Sequence, residues 1–99
     1  MGDAAIDMSM SLLSDEPKCW VCGSPAVELH HVFHGWANRR ISDKYGCTVY
    51  LCREHHTGKT GAHFDRNLDL LLKRNCQGRW EETYGDREEF RQAFGKSWL

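Results

Sequence analysis

The stretch TVYLCREHH, residues 48–56, carries three structural signals. Its first four residues are β-branched, aromatic or apolar, which is typical of a short strand. A helix is expected to begin near Arg53 and to carry His56. Cys52 and His55 stand three residues apart, a spacing at which a thiolate and an imidazole can bind one metal ion. The stretch therefore predicts a strand, a pair of metal ligands and a helix in direct succession.

A second pair of candidate ligands lies upstream, in CWVCG, residues 19–23. Cys19 and Cys22 can grip one tetrahedral ion from a tight turn, and with Cys52 and His55 they make a complete Cys3His set. Four protein ligands leave no open position, so the expected zinc ion is structural. A redox-active Cys-x-x-Cys pair is the competing interpretation, but it lacks a βαβ context and leaves the second pair unexplained.

The cysteine count and the length limit the class of protein. Five cysteines, with no basic-then-apolar signal segment, favour reduced thiols in a cytoplasm over a disulfide framework. The apolar runs are far shorter than the roughly 20 residues of a membrane span, so we expect a soluble protein. Residues 1–17 are acidic and mostly small, which predicts a flexible tail. Residues 18–99 are expected to form a single α+β domain whose small core needs the zinc staple.

Two adjacent histidines interrupt the apolar stretch VELHHVFHG, residues 27–35. Neighbouring residues on a strand point to opposite faces, so His30 and His31 cannot both bind one ion in the same way. Different roles are therefore expected for the two imidazoles. The alternative is that each is an ordinary packed or solvated histidine.

The chain after Gly61 has a helical pattern. Apolar residues recur at spacings of three and four from Leu68 to Tyr84, and Gly85 is a plausible stop. Asp86 and Glu89 predict a capping box at the start of a second helix, which Gly95 ends. We expect the aromatic residues of this region to be core residues: Trp80, Tyr84, Phe90, Phe94 and Trp98.

The charge is unevenly distributed. Residues 37–80 hold nine basic residues against four acidic ones, although the whole chain has a formal net charge of -1. Such a local excess can bind a polyanion. An ordinary solvated surface is the alternative interpretation. The candidate phosphate contacts are Arg39, Arg40, Lys44, Lys59 and Arg66.

In chain order the sequence has the Cys-x-x-Cys pair, a strand with two histidines, a loop, a second strand and a helix carrying His56. This order resembles that of the zinc-bearing HNH endonucleases, a family of ββα-metal nucleases. The resemblance implies that His30 ligates a catalytic metal ion, that His31 is the general base, and that His56 is a further ligand. A neutral His31 would take a proton from the water that attacks phosphorus. The implied catalytic ion is Mg²⁺ or Mn²⁺, while Zn²⁺ or Ni²⁺ would also be attracted and can inhibit.

A narrower likeness covers most of the chain from Cys19 onward, most specifically in HHTGKTGAHF, residues 55–64. These stretches are similar to small phage-associated HNH proteins grouped with the Ref-type, RecA-dependent nucleases. That likeness implies that His63 lies near the metal ion or the scissile phosphate. It also implies DNA as the substrate, a recombinase filament as a further partner, and a role in phage recombination or DNA processing in the host cytoplasm.

One position departs from the family pattern. The middle Asn of the HNH motif falls on Cys47, which cannot supply an amide to hold the loop that carries the base. Asn38 is an alternative source of that hydrogen bond. Two other functions remain open: a zinc-stapled nucleic-acid or protein-binding module that does not cleave, which Cys47 favours, and a purely structural phage component.

Overall fold

The structure is a computed structural model that describes residues 11–34 and 36–99. Its elements are, in chain order, β1 (Val27–His31), α1 (Trp36–Tyr45), β2 (Thr48–Cys52), α2 (Arg53–His56), α3 (Arg66–Thr83) and α4 (Arg87–Phe94). A small sheet combined with helices confirms the predicted α+β class. None of these helices in the described ranges is long and apolar enough to cross a membrane.

Strands β1 and β2 form a two-stranded antiparallel sheet. Val27 pairs with Cys52 at one end of the ladder, and His31 pairs with Thr48 at the other. Helix α2 begins directly after β2, with Cys52 as its N-cap residue. The sheet therefore brings the cysteine end of β2 and the start of α2 beside the beginning of β1.

Helix α1 corrects the sequence prediction of a loop between the two strands. Ile41 and Tyr45, four residues apart, pack against the buried core, and Ser42 between them is fully buried. Ala37, Ile41 and Tyr45 recur every four positions, a helical spacing that the loop interpretation overlooked. A helix of ten residues is marginal on its own in water, so its packing against β1 and α4 is needed to stabilise it.

Helix α4 has the ends that the sequence predicts, and α3 ends just before the predicted stop at Gly85. The Asp65 side chain accepts hydrogen bonds from two backbone N–H groups at the start of α3, and Tyr84 caps its end. Asp86 and Glu89 form the predicted capping box of α4. Gly95 ends α4 with a φ of +92°, a left-handed conformation that glycine adopts without steric cost.

The core lies between the sheet and the last two helices. Phe33 packs against Phe90, Phe94 and Trp98, with ring centroids 5.3, 4.7 and 4.9 Å away. Trp80 is buried beside Phe90, as predicted. Tyr84 is more exposed than the sequence indicated, although its ring contacts that of Tyr45.

The segment before the first metal-ligand pair contacts the rest of the domain. The backbone N–H of Leu12 donates to the Gly46 carbonyl at 2.8 Å, and the N–H of Tyr50 donates to Ser14 Oγ at 3.1 Å. Leu12 and Leu13 also pack against the core. Residues 12–14, within the predicted tail, therefore contact the sheet and the core, while residues 1–10 lie outside the described part.

Candidate functional site

The first candidate site joins the turn before β1 to the junction of β2 and α2. Cys19 and Cys22 belong to a turn closed by a hydrogen bond of 2.8 Å from the Gly23 N–H to the Cys19 carbonyl. Gly23 has a φ of +80°, which favours glycine at this position. Cys52 ends β2, and His55 lies on α2.

The four side chains form a closed cluster. His55 Nδ1 lies 3.6 Å from Cys19 Sγ and 3.2 Å from Cys52 Sγ, and Cys22 Sγ lies 3.7 Å from Cys52 Sγ. Tetrahedral zinc with ordinary bond lengths sets two sulfurs about 3.8 Å apart and a sulfur and a nitrogen about 3.6 Å apart. The cluster can therefore hold a metal ion such as zinc.

The Cys19 thiol is prepared for metal binding. Burial raises its pKa, but hydrogen bonds from the backbone N–H groups of Cys52, Cys22 and Val21 outweigh burial and lower the pKa to about 6. The thiolate is the form that ligates metals, and at pH 7 it predominates for a thiol with this pKa.

A second cluster unites His30, His56 and His63. Their ring nitrogens lie within 4.8 Å of one another, which is close enough for one metal ion. His30 comes from β1 and His56 from α2. The His63 N–H donates to the His56 carbonyl at 3.2 Å, which holds the following loop against α2. A Cβ at Gly61 would lie only 2.7 Å from the His56 backbone, so glycine permits this close approach.

His30 is the buried member of this histidine cluster. It is only 2 % exposed, and among the described residues its Nε2 has no hydrogen-bond partner. Burial and the neighbouring His56, His63 and His34 rings lower its pKa to about 3. His30 is therefore neutral at pH 7, with an unsatisfied nitrogen that suits a metal ligand.

A carboxylate orients His56. The Nδ1–H of His56 donates to Glu28 Oε1 at 2.7 Å, and this bond is the main cause of the lowered pKa of Glu28. The bond leaves Nε2 of His56 for a ligand. Carboxylates commonly hold metal-binding histidines in this way, so the arrangement fits a metal ion at the histidine cluster.

His31 occupies a different position and has a different partner. Its Nε2 lies 2.6 Å from Oδ1 of Asp43, which is on α1. A pocket of about 240 Å³ is nevertheless lined by both His30 and His31, together with Leu29, His34, Arg39, His56 and His63. Both histidines line this pocket, although neighbouring residues of a strand point to opposite faces; His31 is the last residue of β1.

The five candidate phosphate contacts are dispersed. Arg39 lines the pocket of the histidine cluster, and Arg66 lines a neighbouring pocket. Arg40, Lys44 and Lys59 are exposed, but none of them is among the described side chains that line either pocket. The structure therefore brings two of the five basic residues to the histidines.

Cys47 is fully buried, and its contact with Cys76, together with burial, raises the pKa of the Cys76 thiol.

Ser42 holds the turn after His31. Ser42 Oγ donates to the Phe33 carbonyl at 2.7 Å, two residues after His31, in the segment for which the sequence suggested a hydrogen bond from Asn38. The roles of Glu28 and Asp43 were not predicted from the sequence, because each residue lies more than ten positions from the histidine that it orients.

No protein-family model matches the chain, and neither a curated protein nor a solved structure compared with it is similar enough to be a match. The two side-chain clusters are therefore the observations from which a function is inferred.

Proposed function

We propose that the protein is a metal-dependent DNA endonuclease of the HNH type, stapled by a structural zinc ion. One observation carries the proposal. Three histidines that can bind one ion share a pocket with a fourth, His31, which a carboxylate orients. A bound metal ion and an oriented general base are the groups that metal-dependent phosphodiester hydrolysis requires.

His31 acts as the general base in this proposal. Because the Asp43 carboxylate accepts from Nε2, the neutral ring carries its lone pair on Nδ1. That nitrogen takes the proton of the attacking water. Asp43 fixes the ring and stabilises the imidazolium that forms, as carboxylates beside catalytic histidines do.

His30, His56 and His63 would hold the catalytic ion. When bound, a divalent cation there stabilises the negative charge that develops on the leaving oxygen. Mg²⁺ prefers oxygen ligands, so a site of three imidazoles favours Mn²⁺ over Mg²⁺. The same three imidazoles also attract Zn²⁺ and Ni²⁺. Burial of His30 keeps protons from competing for its nitrogen at neutral pH.

The Cys3His cluster has a structural role in this proposal. All four tetrahedral positions come from the protein, so no position remains for water or substrate. The ion would tie the turn before β1 to the start of α2, the helix that carries His56. The staple thereby supports the catalytic geometry as well as the small core.

DNA is the proposed substrate because basic residues gather in the middle of the chain and Arg39 lines the catalytic pocket. A role in phage recombination, with a recombinase filament as partner, rests on the family resemblance alone. A binding module that does not cleave is the second candidate function, since Cys47 stands where the family has an amide.

Nicking of supercoiled plasmid tests the proposal. We expect wild-type protein to nick with Mn²⁺ or Mg²⁺ and to be inactive without an added divalent ion. His31→Ala, purified in parallel, controls for a contaminating nuclease and should keep the melting curve of the wild type. Tight plasmid binding without nicking under any divalent ion would support the non-cleaving module instead.

A further inference from the structure

Phe64 is an exposed aromatic side chain beside the proposed catalytic centre. It directly follows His63, and 71 % of its surface is exposed. The Phe64 N–H donates to the Gly61 carbonyl at 3.0 Å, and the Asp65 N–H donates to the same carbonyl at 2.7 Å. The ring is therefore displayed from a backbone that hydrogen bonds hold in place.

A second pocket, of about 220 Å³, adjoins this ring. It is lined by His34, Ala62, His63, Phe64, Arg66 and Asp69. His34 and His63 also line the pocket of the histidine cluster, so the two pockets are neighbours. The volume lies below the roughly 300–1,000 Å³ of pockets for drug-sized molecules and suits a smaller group.

The lining indicates what that group is. Among the described residues Asp69 Oδ1 has no hydrogen-bond partner, and His34 Nε2, at 3.6 Å, is too distant to be one. A carboxylate in the lining disfavours a phosphate, whereas a neutral ring with N–H groups can stack on Phe64. Arg66 is exposed and can meet a backbone phosphate at the same time.

We infer that this pocket binds one nucleobase of a single-stranded or extruded nucleotide that flanks the cleaved phosphate, with Phe64 as the stacking platform. The inference rests on the proposed function for its DNA substrate. Stacking of bases on aromatic side chains is tolerant of sequence, because every base presents a π-face. The site therefore favours DNA with unpaired bases over intact duplex.

The test compares a short end-labelled DNA strand with the same strand made of abasic sites, by fluorescence anisotropy without added divalent ions. Wild-type protein should bind the strand with bases roughly 5- to 150-fold more tightly, which is the factor that one stacked base supplies. Phe64→Ala and Phe64→Leu should lose this preference, while Phe64→Tyr should retain it. All four proteins should bind the abasic strand equally.

Two further variants serve as controls. Arg66→Ala should weaken binding of both strands by the same factor, because phosphate contacts do not depend on the bases. Leu71→Ala removes another exposed apolar side chain, on α3, and should change neither affinity. An unchanged preference for the strand with bases in Phe64→Ala would overturn the inference.

The binding comparison does not depend on whether the protein cleaves DNA. If wild-type protein prefers the strand with bases but never nicks plasmid, the nucleobase site stands and the endonuclease proposal fails. If it nicks plasmid but binds both strands equally, the endonuclease proposal stands and the nucleobase site is refuted.

Discussion

His31 Nε2 and Asp43 Oδ1 lie 2.6 Å apart, although one residue ends β1 and the other belongs to α1. Because the carboxylate accepts from Nε2, the neutral ring of His31 carries its lone pair on Nδ1. Helix α1 therefore contributes an orienting carboxylate as well as core contacts.

Asp43→Ala should lower the nicking rate by roughly 10- to 100-fold, as loss of an orienting carboxylate commonly does. The Asp43 side chain is 61 % exposed, so the melting temperature should change little. Glu82→Ala, which removes the same charge from an exposed site on α3, is the matched control. In a His31→Ala background Asp43→Ala should cost nothing further, and an additive loss would show that Asp43 does not act through His31.

Substitution of the two adjacent histidines should change the metal dependence of nicking in different ways. His31→Ala should lower nicking by roughly 10²- to 10⁴-fold at every metal concentration, because the base itself is missing. His30→Ala should weaken metal binding, so excess Mn²⁺ restores part of its activity. The measurement is the nicking rate against Mn²⁺ concentration, with melting curves as the folding control. Equal rescue of both variants would contradict separate roles.

The Cys3His cluster should retain one zinc ion per chain through desalting, as elemental analysis can measure. Cys19→Ser should release that ion. Loss of about 2 kcal/mol or more of stability would lower the melting temperature by roughly 8–16 °C in a domain of this size. Zinc-free wild-type protein, together with an unchanged melting curve for Cys19→Ser, would refute the structural zinc.

DNA affinity should fall steeply with salt. If about four phosphates are neutralised, log K plotted against log salt has a slope near -3.6, at about -0.9 per phosphate. Arg39→Ala should reduce the slope by about 0.9, since Arg39 lines the pocket of the histidine cluster. Arg91→Ala removes an exposed cation outside the basic stretch and should leave the slope unchanged. A flat salt dependence would contradict binding through the basic residues.

Local sequence signals account for the elements that the sequence predicts well. Helices α3 and α4 have clear caps and a regular apolar spacing, and β2 is a run of strand-forming residues. Helix α1 has a helical spacing in Ala37, Ile41 and Tyr45, but it is only ten residues long and marginal as an isolated helix. Its stability therefore depends on tertiary contacts, which no window of the sequence contains.

The candidate site also has a part that the sequence predicts and a part that depends on the fold. The spacing of cysteines and histidines predicts the Cys3His cluster, and the family resemblance adds His30, His56 and His63; the structure brings each set together. The positions of the two orienting carboxylates depend on the pairing of β1 with β2 and on the packing of α1. Glu28 reaches His56 only because β1 lies beside α2, a relationship that depends on the whole fold.

A hydrogen bond from Ser42 holds the turn after His31. Ser42 Oγ donates to the Phe33 carbonyl at 2.7 Å inside the core, so Ser42→Ala leaves a buried carbonyl without that donor. The cost should be about 1–3 kcal/mol of unfolding free energy. Because the turn follows His31 directly, nicking by the folded variant should also fall by roughly 10- to 100-fold through misplacement of the base.

Two variants separate this role from a general loss of stability. Ser24→Ala removes a hydroxyl that accepts an exposed hydrogen bond from the Ala26 N–H, so it should affect neither stability nor nicking. Asn38→Ala tests the amide that the sequence suggested and should leave nicking unchanged. Urea unfolding and plasmid nicking at a temperature where all the variants are folded provide the measurements. If Asn38→Ala lost activity while Ser42→Ala kept it, the turn would be held by the amide after all, and Ser42 would be a packing residue only.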